Sequence, residues 1–190
     1  TDFHHAFIRL LGTRIKVEGA IPPGAYLIAV KHQSMLETLE MMRIARTPVV
    51  VLKRELSRLP GFGWATRSYG VIPVDREAGA RALRELLSAS KDAVASGRPI
   101  LIYPEGTRVR PGESPPLQAG FAGLYKTLGL SVVPVAVDSG RLWGPNLPRR
   151  SGTVHFVVGD PIPAGLKRDE VEARVHAAIN LLESGSEARA

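Results

Sequence analysis

The chain has no cysteine in its 190 residues, which excludes disulfides, thiolate nucleophiles and cysteine-based zinc sites and leaves its redox compartment open. It also lacks any run approaching the roughly 18 to 20 apolar residues that a membrane-spanning helix requires. Any contact of these residues with a bilayer is therefore expected from the surface. No internal repeat, low-complexity tract or metal-ligand spacing is present, so we expect no metal and no tightly bound cofactor. Helix-turn-helix, zinc-finger and RNA-recognition signatures are missing as well.

What is present suits one folded domain. The hydrophobic fraction of 44% is enough for a sizeable core at this length. The formal charge is +7, from 25 basic and 18 acidic residues, and it is unevenly spread. Between Arg43 and Arg76 stand seven basic residues (Arg43, Arg46, Lys53, Arg54, Arg58, Arg67 and Arg76) against Glu55 and Asp75, with Phe62, Trp64 and Tyr69 among them. Interleaved basic and aromatic residues suit an anionic lipid surface or a phosphate backbone. A solvated basic surface has the same composition.

Residues 1–12 read as a short amphipathic helix, with Phe3, Phe7, Ile8 and Leu11 at helical spacing and His4 and His5 near a fraying end. The chain opens at Thr1 rather than Met, so a preceding segment is expected, and 1–12 is compatible with the remnant of a membrane anchor. Residues 13–190 then form one domain. Strands are expected at 14–18, 26–30, 49–52, 71–74, 100–103, 132–137 and 154–158. Helices are expected at 34–45, 77–95, 117–128 and 166–182, and a loop or short helix at 54–69. Pro73 marks its strand as an edge or strand end. His155 and His176 are expected to be structural or exposed, and Trp143 to serve packing. Continuous apolar strands separated by helices predict an α/β fold: a single layered domain whose central, mostly parallel or mixed sheet of about seven strands is covered by helices. Ligands of such sheets bind outside the strand ends.

The stretch Lys31-His32-Gln33-Ser34-Met35-Leu36-Glu37-Thr38 sits where strand passes into helix. Ser34 and Glu37 have capping-box spacing, which places the helix start at Ser34. Glu37 can reach either the Ser34 N–H or a ring nitrogen of His32, which would fix the tautomer and leave the other nitrogen to take a proton. A capped helix beside an ordinary loop histidine fits the same residues. Two further stretches end strands with cationic groups: Gly70-Val71-Ile72-Pro73-Val74-Asp75-Arg76, and Tyr103-Pro104-Glu105-Gly106-Thr107-Arg108. Two guanidinium groups at adjacent strand ends make a phosphate clamp, and Gly106 lets backbone approach a ligand closely. Singly, Arg76 and Arg108 are equally readable as surface ion-pair partners.

Taken in order, KHQSMLET, KREL, PGFGWATRSYGVIPVDR, YPEGTR and VVPVAV resemble the glycerophospholipid acyltransferase family, specifically the bacterial 1-acyl-sn-glycerol-3-phosphate acyltransferases, from about Val17 to Gly159. The resemblance implies that His32 is the base that activates the acceptor hydroxyl and that Glu37 orients it, Glu standing where the family usually has Asp. It implicates Arg76, Glu105, Gly106, Thr107 and Arg108 in binding the acceptor. Lys53 matches a basic position and is expected to add a phosphate or headgroup contact, while Pro134 marks a fourth block without a clear role.

The expected reaction moves a fatty acyl group from a thioester, on coenzyme A or an acyl carrier protein, to the free hydroxyl of lysophosphatidic acid, giving phosphatidic acid. The thioester is a co-substrate, and backbone N–H groups near Ser34 are expected to stabilise the oxyanion. The expected partners are lysophosphatidic acid, the acyl thioester and an anionic membrane surface, not nucleic acid, and the sequence fixes no oligomeric state. The expected location is the cytoplasmic face of a bacterial inner membrane, peripheral or anchored. Two rivals are an acyltransferase acting on another lyso-lipid, such as lyso-ornithine lipid, and a basic nucleic-acid-binding module.

Overall fold

The computed structural model describes residues 2–55, 57, 71–74, 79–144 and 149–183. Seven strands form one sheet: β1 (Thr13–Glu18), β2 (Leu27–Val30), β3 (Val49–Lys53), β4 (Ile72–Val74), β5 (Ile100–Ile102), β6 (Val132–Val137) and β7 (Gly152–Val158). The helices among the described residues are α1 (Asp2–Leu10), α2 (Leu36–Ile44), α3 (Gly79–Ala95), α4 (Ala119–Leu128), α5 (Gly140–Trp143) and α6 (Arg168–Ile179). The strand order is β1-β7-β6-β2-β5-β3-β4, and every pairing is parallel except β6 with β7. The sheet is therefore mixed.

Alternation along the central strands sends side chains to two cores. Leu27 and Ala29 of β2 join a cluster with Phe121 and Leu124 of α4 and Val171, Val175 and Ile179 of α6. Ile28 and Val30 face the other way, with Ile8 of α1 and Leu36 and Met41 of α2. Helices on both faces bury every residue of β2, β5 and β6, which is why these strands are apolar throughout instead of alternating. In β6, Pro134 has no N–H to give, and its carbonyl accepts from Gly159 N–H at 2.9 Å where the ladder to β7 begins. Pro73 lies in β4, the edge strand, where a missing donor is tolerated.

The N-terminal helix forms where it is expected, but its His5 departs from its sequence reading. Ile8 is buried, whereas Phe7 and Leu11 are exposed. His5 is no fraying-end residue: its Nδ1 lies 3.1 Å from both carboxylate oxygens of the buried Glu40, whose Oε2 also accepts from Arg43 Nε at 3.1 Å and Nη2 at 2.9 Å. The His5–Glu40 hydrogen bond docks α1 on α2. Helix α5 falls between the strands expected at 132–137 and 154–158, where no helix is expected from the sequence, and Trp143 Nε1–H donates from it to Thr13 Oγ1 at 3.0 Å. His155 donates its main-chain N–H to Asp138, with its ring Nδ1 3.0 Å from the same carboxylate, and His176 reaches the Ser114 carbonyl at 3.1 Å. Among the described residues, no helix is long and apolar enough to cross a membrane.

Candidate active site

The carboxyl ends of β5, β2 and β6, three adjacent parallel strands, meet at one edge of the sheet. Each strand breaks there into polar sequence. After β2 come Lys31 and His32; after β5, Tyr103, Pro104 and Glu105; after β6, Asp138 and Ser139. Backbone groups left unpaired at a strand end need partners, and here the next segments supply them. Lys31 N–H still bonds to Val135 of β6 at 3.0 Å, so the ladder holds the chain up to the residue before His32.

His32 Nδ1 lies 2.9 Å from Glu37 Oε1. That oxygen also accepts the main-chain N–H groups of Gln33, at 2.7 Å, and Ser34, at 2.6 Å. The other oxygen, Oε2, accepts the hydroxyls of Ser34 at 2.7 Å and Ser139 at 2.6 Å. Ser34 Oγ in turn accepts from Leu36 N–H at 3.0 Å, so only the Glu37 half of the expected capping box forms, and the helix begins at Leu36 rather than at Ser34, with Met35 as its N-cap. One carboxylate therefore makes both contacts that the spacing left as alternatives. The same bonds commit the N–H groups of Gln33, Ser34 and Leu36 internally, which removes those three as oxyanion donors.

Glu37 is buried, which by itself raises its pKa. The hydrogen bond and charge of His32, the Ser139 hydroxyl and the Ser34 N–H outweigh that burial and hold the carboxylate below its usual value. Glu37 is therefore an anion at neutral pH. An ionised carboxylate accepts only, so the Nδ1 facing it carries the proton and the neutral imidazole has its lone pair on Nε2. The His32 side chain is 18% exposed. Its ring is stacked on Tyr103, with centroids 4.1 Å apart and planes at 28°. Burial, joined by the Glu37 charge, pushes the Tyr103 phenol well above its ordinary value, and neighbouring Thr38 offsets only part of this. The phenol is therefore neutral, and it makes no hydrogen bond of good geometry among the described residues.

The third sequence block lies against the first. Glu105 Oε2 accepts His32 N–H at 3.0 Å, and Val109 N–H donates to the His32 carbonyl at 2.7 Å. Glu105 Oε1 pairs with Lys31 Nζ at 2.7 Å, and both side chains are fully buried. Gly106 has φ +75°, and a Cβ there would lie 2.8 Å from Gln118 Cγ, so glycine is required by conformation and by space. Thr107 and Arg108 are exposed. His32, Glu37, Glu105, Gly106, Thr107 and Arg108 are thus brought together at the end of β2. Lys53 closes β3, two strands from β2 at the same end of the sheet. Arg76 and the aromatic stretch from Phe62 to Tyr69 lie outside the described residues, as does the Lys53 side chain.

Sequence reasoning missed Ser139, although Asp138-Ser139-Gly140 directly follows an apolar strand and such strand ends carry polar function. Its neighbour Gly140 donates N–H to Gln33 Oε1 at 3.0 Å and has no room for a Cβ, which would stand 2.9 Å from Gln33 Cβ. Asn180, 149 residues away in sequence from Lys31, bonds its Nζ at 2.6 Å, and nothing in its sequence context signals that contact.

The sequence profile of the family described as Acyltransferase matches residues 14–138. The 1-acyl-sn-glycerol-3-phosphate acyltransferase of Pseudomonas aeruginosa is 34% identical over 156 residues, covering 80% of this chain and 61% of that protein. The enzyme of the same name from Helicobacter pylori is 31% identical over 133 residues, covering 69% of this chain and 56% of its own length. The chain thus spans about three fifths of the length of these curated relatives. The crystal structure of the 1-acyl-sn-glycerophosphate (LPA) acyltransferase PlsC from Thermotoga maritima superposes with a TM-score of 0.82 at 22% identity, covering 100% of this chain and 78% of that one, a likeness of fold. The family match takes in β1 to β6 and every residue of the site from Lys31 to Asp138, and the chain belongs to the Acyltransferase family.

Proposed function

We propose that this chain transfers a fatty acyl group from a thioester to the free hydroxyl of 1-acyl-sn-glycerol-3-phosphate, giving phosphatidic acid. The observation that carries the reading is the His32 ring, held at Nδ1 by an ionised Glu37 and open at Nε2 where β2 ends. The names of the relatives support the choice of acceptor.

His32 Nε2 removes the hydroxyl proton as the acceptor oxygen bonds to the thioester carbonyl carbon. The imidazolium that forms lies against the Glu37 carboxylate, 2.9 Å from Nδ1. When the tetrahedral adduct collapses, the C–S bond breaks, and Nε2 returns the proton to the departing thiolate of coenzyme A or an acyl carrier protein. No acyl-enzyme is formed. Arg108 binds the acceptor phosphate, with Gly106 and Thr107 beside it and Arg76 and Lys53 as further cationic contacts. The basic segment from Arg43 to Arg76 holds the protein on anionic lipid at the cytoplasmic face of a bacterial inner membrane.

The test incubates the protein with lysophosphatidic acid and labelled acyl-CoA or acyl carrier protein and looks for labelled phosphatidic acid. A panel including lyso-ornithine lipid reads acceptor choice. Transfer to lyso-ornithine lipid alone would overturn the acceptor, and no transfer to any lyso-lipid would overturn the reaction.

A further inference from the structure

The phosphate-bearing acceptor proposed above is an anion, and a carboxylate is a poor ligand for it. Glu105 nevertheless stands in the motif that resemblance assigns to acceptor binding. Its surroundings account for it differently. The side chain is fully buried, Oε1 is taken by Lys31 Nζ at 2.7 Å, and Oε2 is taken by His32 N–H at 3.0 Å. Lys31 is equally committed. An ammonium has three donors, and they go to Glu105, to the Glu113 carbonyl at 2.7 Å and to Asn180 Oδ1 at 2.6 Å. The two side chains have opposite formal charge, and each has several polar partners in place of water.

One end of this cluster is the histidine's own peptide group. His32 has three polar handles besides Nε2: N–H bonds to Glu105, C=O accepts from Val109 N–H at 2.7 Å, and Nδ1 meets Glu37. Both main-chain handles are held by the loop after β5. We propose that Glu105 is a positioning residue for His32, not a ligand of the acceptor, and that Lys31 and Asn180 fix its carboxylate in place. The inference rests on the acyl-transfer reading for its kinetics but not for its geometry.

The experiment uses this difference in the full chain. An amide at position 105 has one acceptor oxygen for the two donors that Oε1 and Oε2 now serve, so Glu105→Gln must give up Lys31 or His32. Glu105→Gln is expected to lower kcat by about tenfold while acceptor KM stays within about twofold, the pattern of a group that does not bind the ground state. Hydrogen exchange at the His32 amide, read by NMR, should speed up by at least about tenfold while the amides of Ala29 and Ile102 are unchanged. Removing the lysine frees the amide oxygen for His32, so Lys31→Met with Glu105→Gln should exceed Lys31→Met with Glu105→Leu in kcat and exchange more slowly at His32. These two double variants carry the test if Glu105→Gln does not fold. Equal kcat and equal His32 exchange in the two would overturn the proposal, as would a rise in acceptor KM with kcat and exchange unchanged. If the unmodified protein transfers no acyl group, the acyl-transfer reading fails, and the exchange measurements still decide the clamp.

Discussion

Glu37→Gln isolates the charge of the His32–Glu37 pair from its geometry. The glutamine carbonyl can occupy the position of Oε1 and keep the Gln33 and Ser34 N–H groups and His32 Nδ1–H, now at 2.7, 2.6 and 2.9 Å. Its NH2 then replaces Oε2 and faces the Ser34 and Ser139 hydroxyls, which can rotate to accept. The tautomer survives and the negative charge does not. With charges about 4 Å apart at an effective dielectric of about 20, the imidazolium loses about 4 kcal/mol of attraction. Since each 1.36 kcal/mol is about tenfold in rate, kcat should fall by about two to three orders of magnitude, and because the depressed carboxylate also stabilises the fold near neutral pH, the melting temperature there should fall as well. Steady-state transfer to lysophosphatidic acid, with thermal melts on the same preparations, measures both. A kcat within about threefold of the unmodified protein would refute the claim that Glu37 acts through its charge. The same variant has a signature in acid. Glu37 is depressed in the fold below 4.5, so its contribution to stability is full above that value and is lost as pH falls through the lower folded-state value. Glu37→Gln should remove that portion of the acid sensitivity, which unfolding curves taken between neutral and acidic pH will show.

Four further substitutions separate the remaining roles. His32→Ala should lower kcat by about 10² to 10⁴, the usual contribution of a positioned base, and near-normal transfer would remove His32 from the chemistry. Arg108→Ala should raise acceptor KM by about tenfold or more with less effect on kcat, because a phosphate contact is made before and during the reaction alike. Ser139→Ala deletes one bond to a charged acceptor, worth about 1.5 to 3 kcal/mol, so it should lower both the melting temperature and kcat, with Ser139→Thr closer to the unmodified protein in both. Gly140→Ala forces a Cβ to within 2.9 Å of Gln33 Cβ and 3.0 Å of Pro111 Cγ, and should cost about 1 to 3 kcal/mol in denaturant melts.

The sheet was legible because its central strands obey a simple rule. A strand covered on both faces must be apolar throughout, so LIAV, ILI and VVPVAV declare themselves, and the chemistry-bearing residues are the first polar ones after each. His32 and Glu37 were legible for a local reason: they stand five positions apart, and the turn from β2 into α2 brings them within reach. Contacts across the chain were not. Ser139 reaches Glu37 over 102 residues and Asn180 reaches Lys31 over 149, and no pattern in either neighbourhood encodes the meeting. Glu105 was found as a residue, but its contacts to Lys31 and His32 were not. A motif shows which residue types stand together, whereas the direction of a side chain depends on what else needs it, here a buried ammonium one residue before the histidine.

Two carboxylates lie within hydrogen-bonding distance of His32 in a site for which the proposed acceptor is an anion. In bulk solvent that arrangement would repel a phosphate. Here Glu37 and Glu105 are both fully buried, and their oxygens point at N–H, O–H and ammonium donors, five on Glu37 and two on Glu105. Glu105 is further neutralised by Lys31, which contributes nothing to the surface because it too is buried. The cations of the same loop that reach solvent are Arg108 and Arg110, on either side of Val109, whose N–H holds the His32 carbonyl. The site is therefore sorted by depth, with anions beneath the histidine and a guanidinium at the mouth. In the proposed reaction, a phosphate entering from solvent would meet the attractive charge first, while the imidazolium formed during transfer would have the buried negative charge directly behind it. On the proposed reading, one short loop after β5 serves both substrate capture and the placement of the base, which would tie the distance between phosphate and reacting hydroxyl to the protein's own geometry.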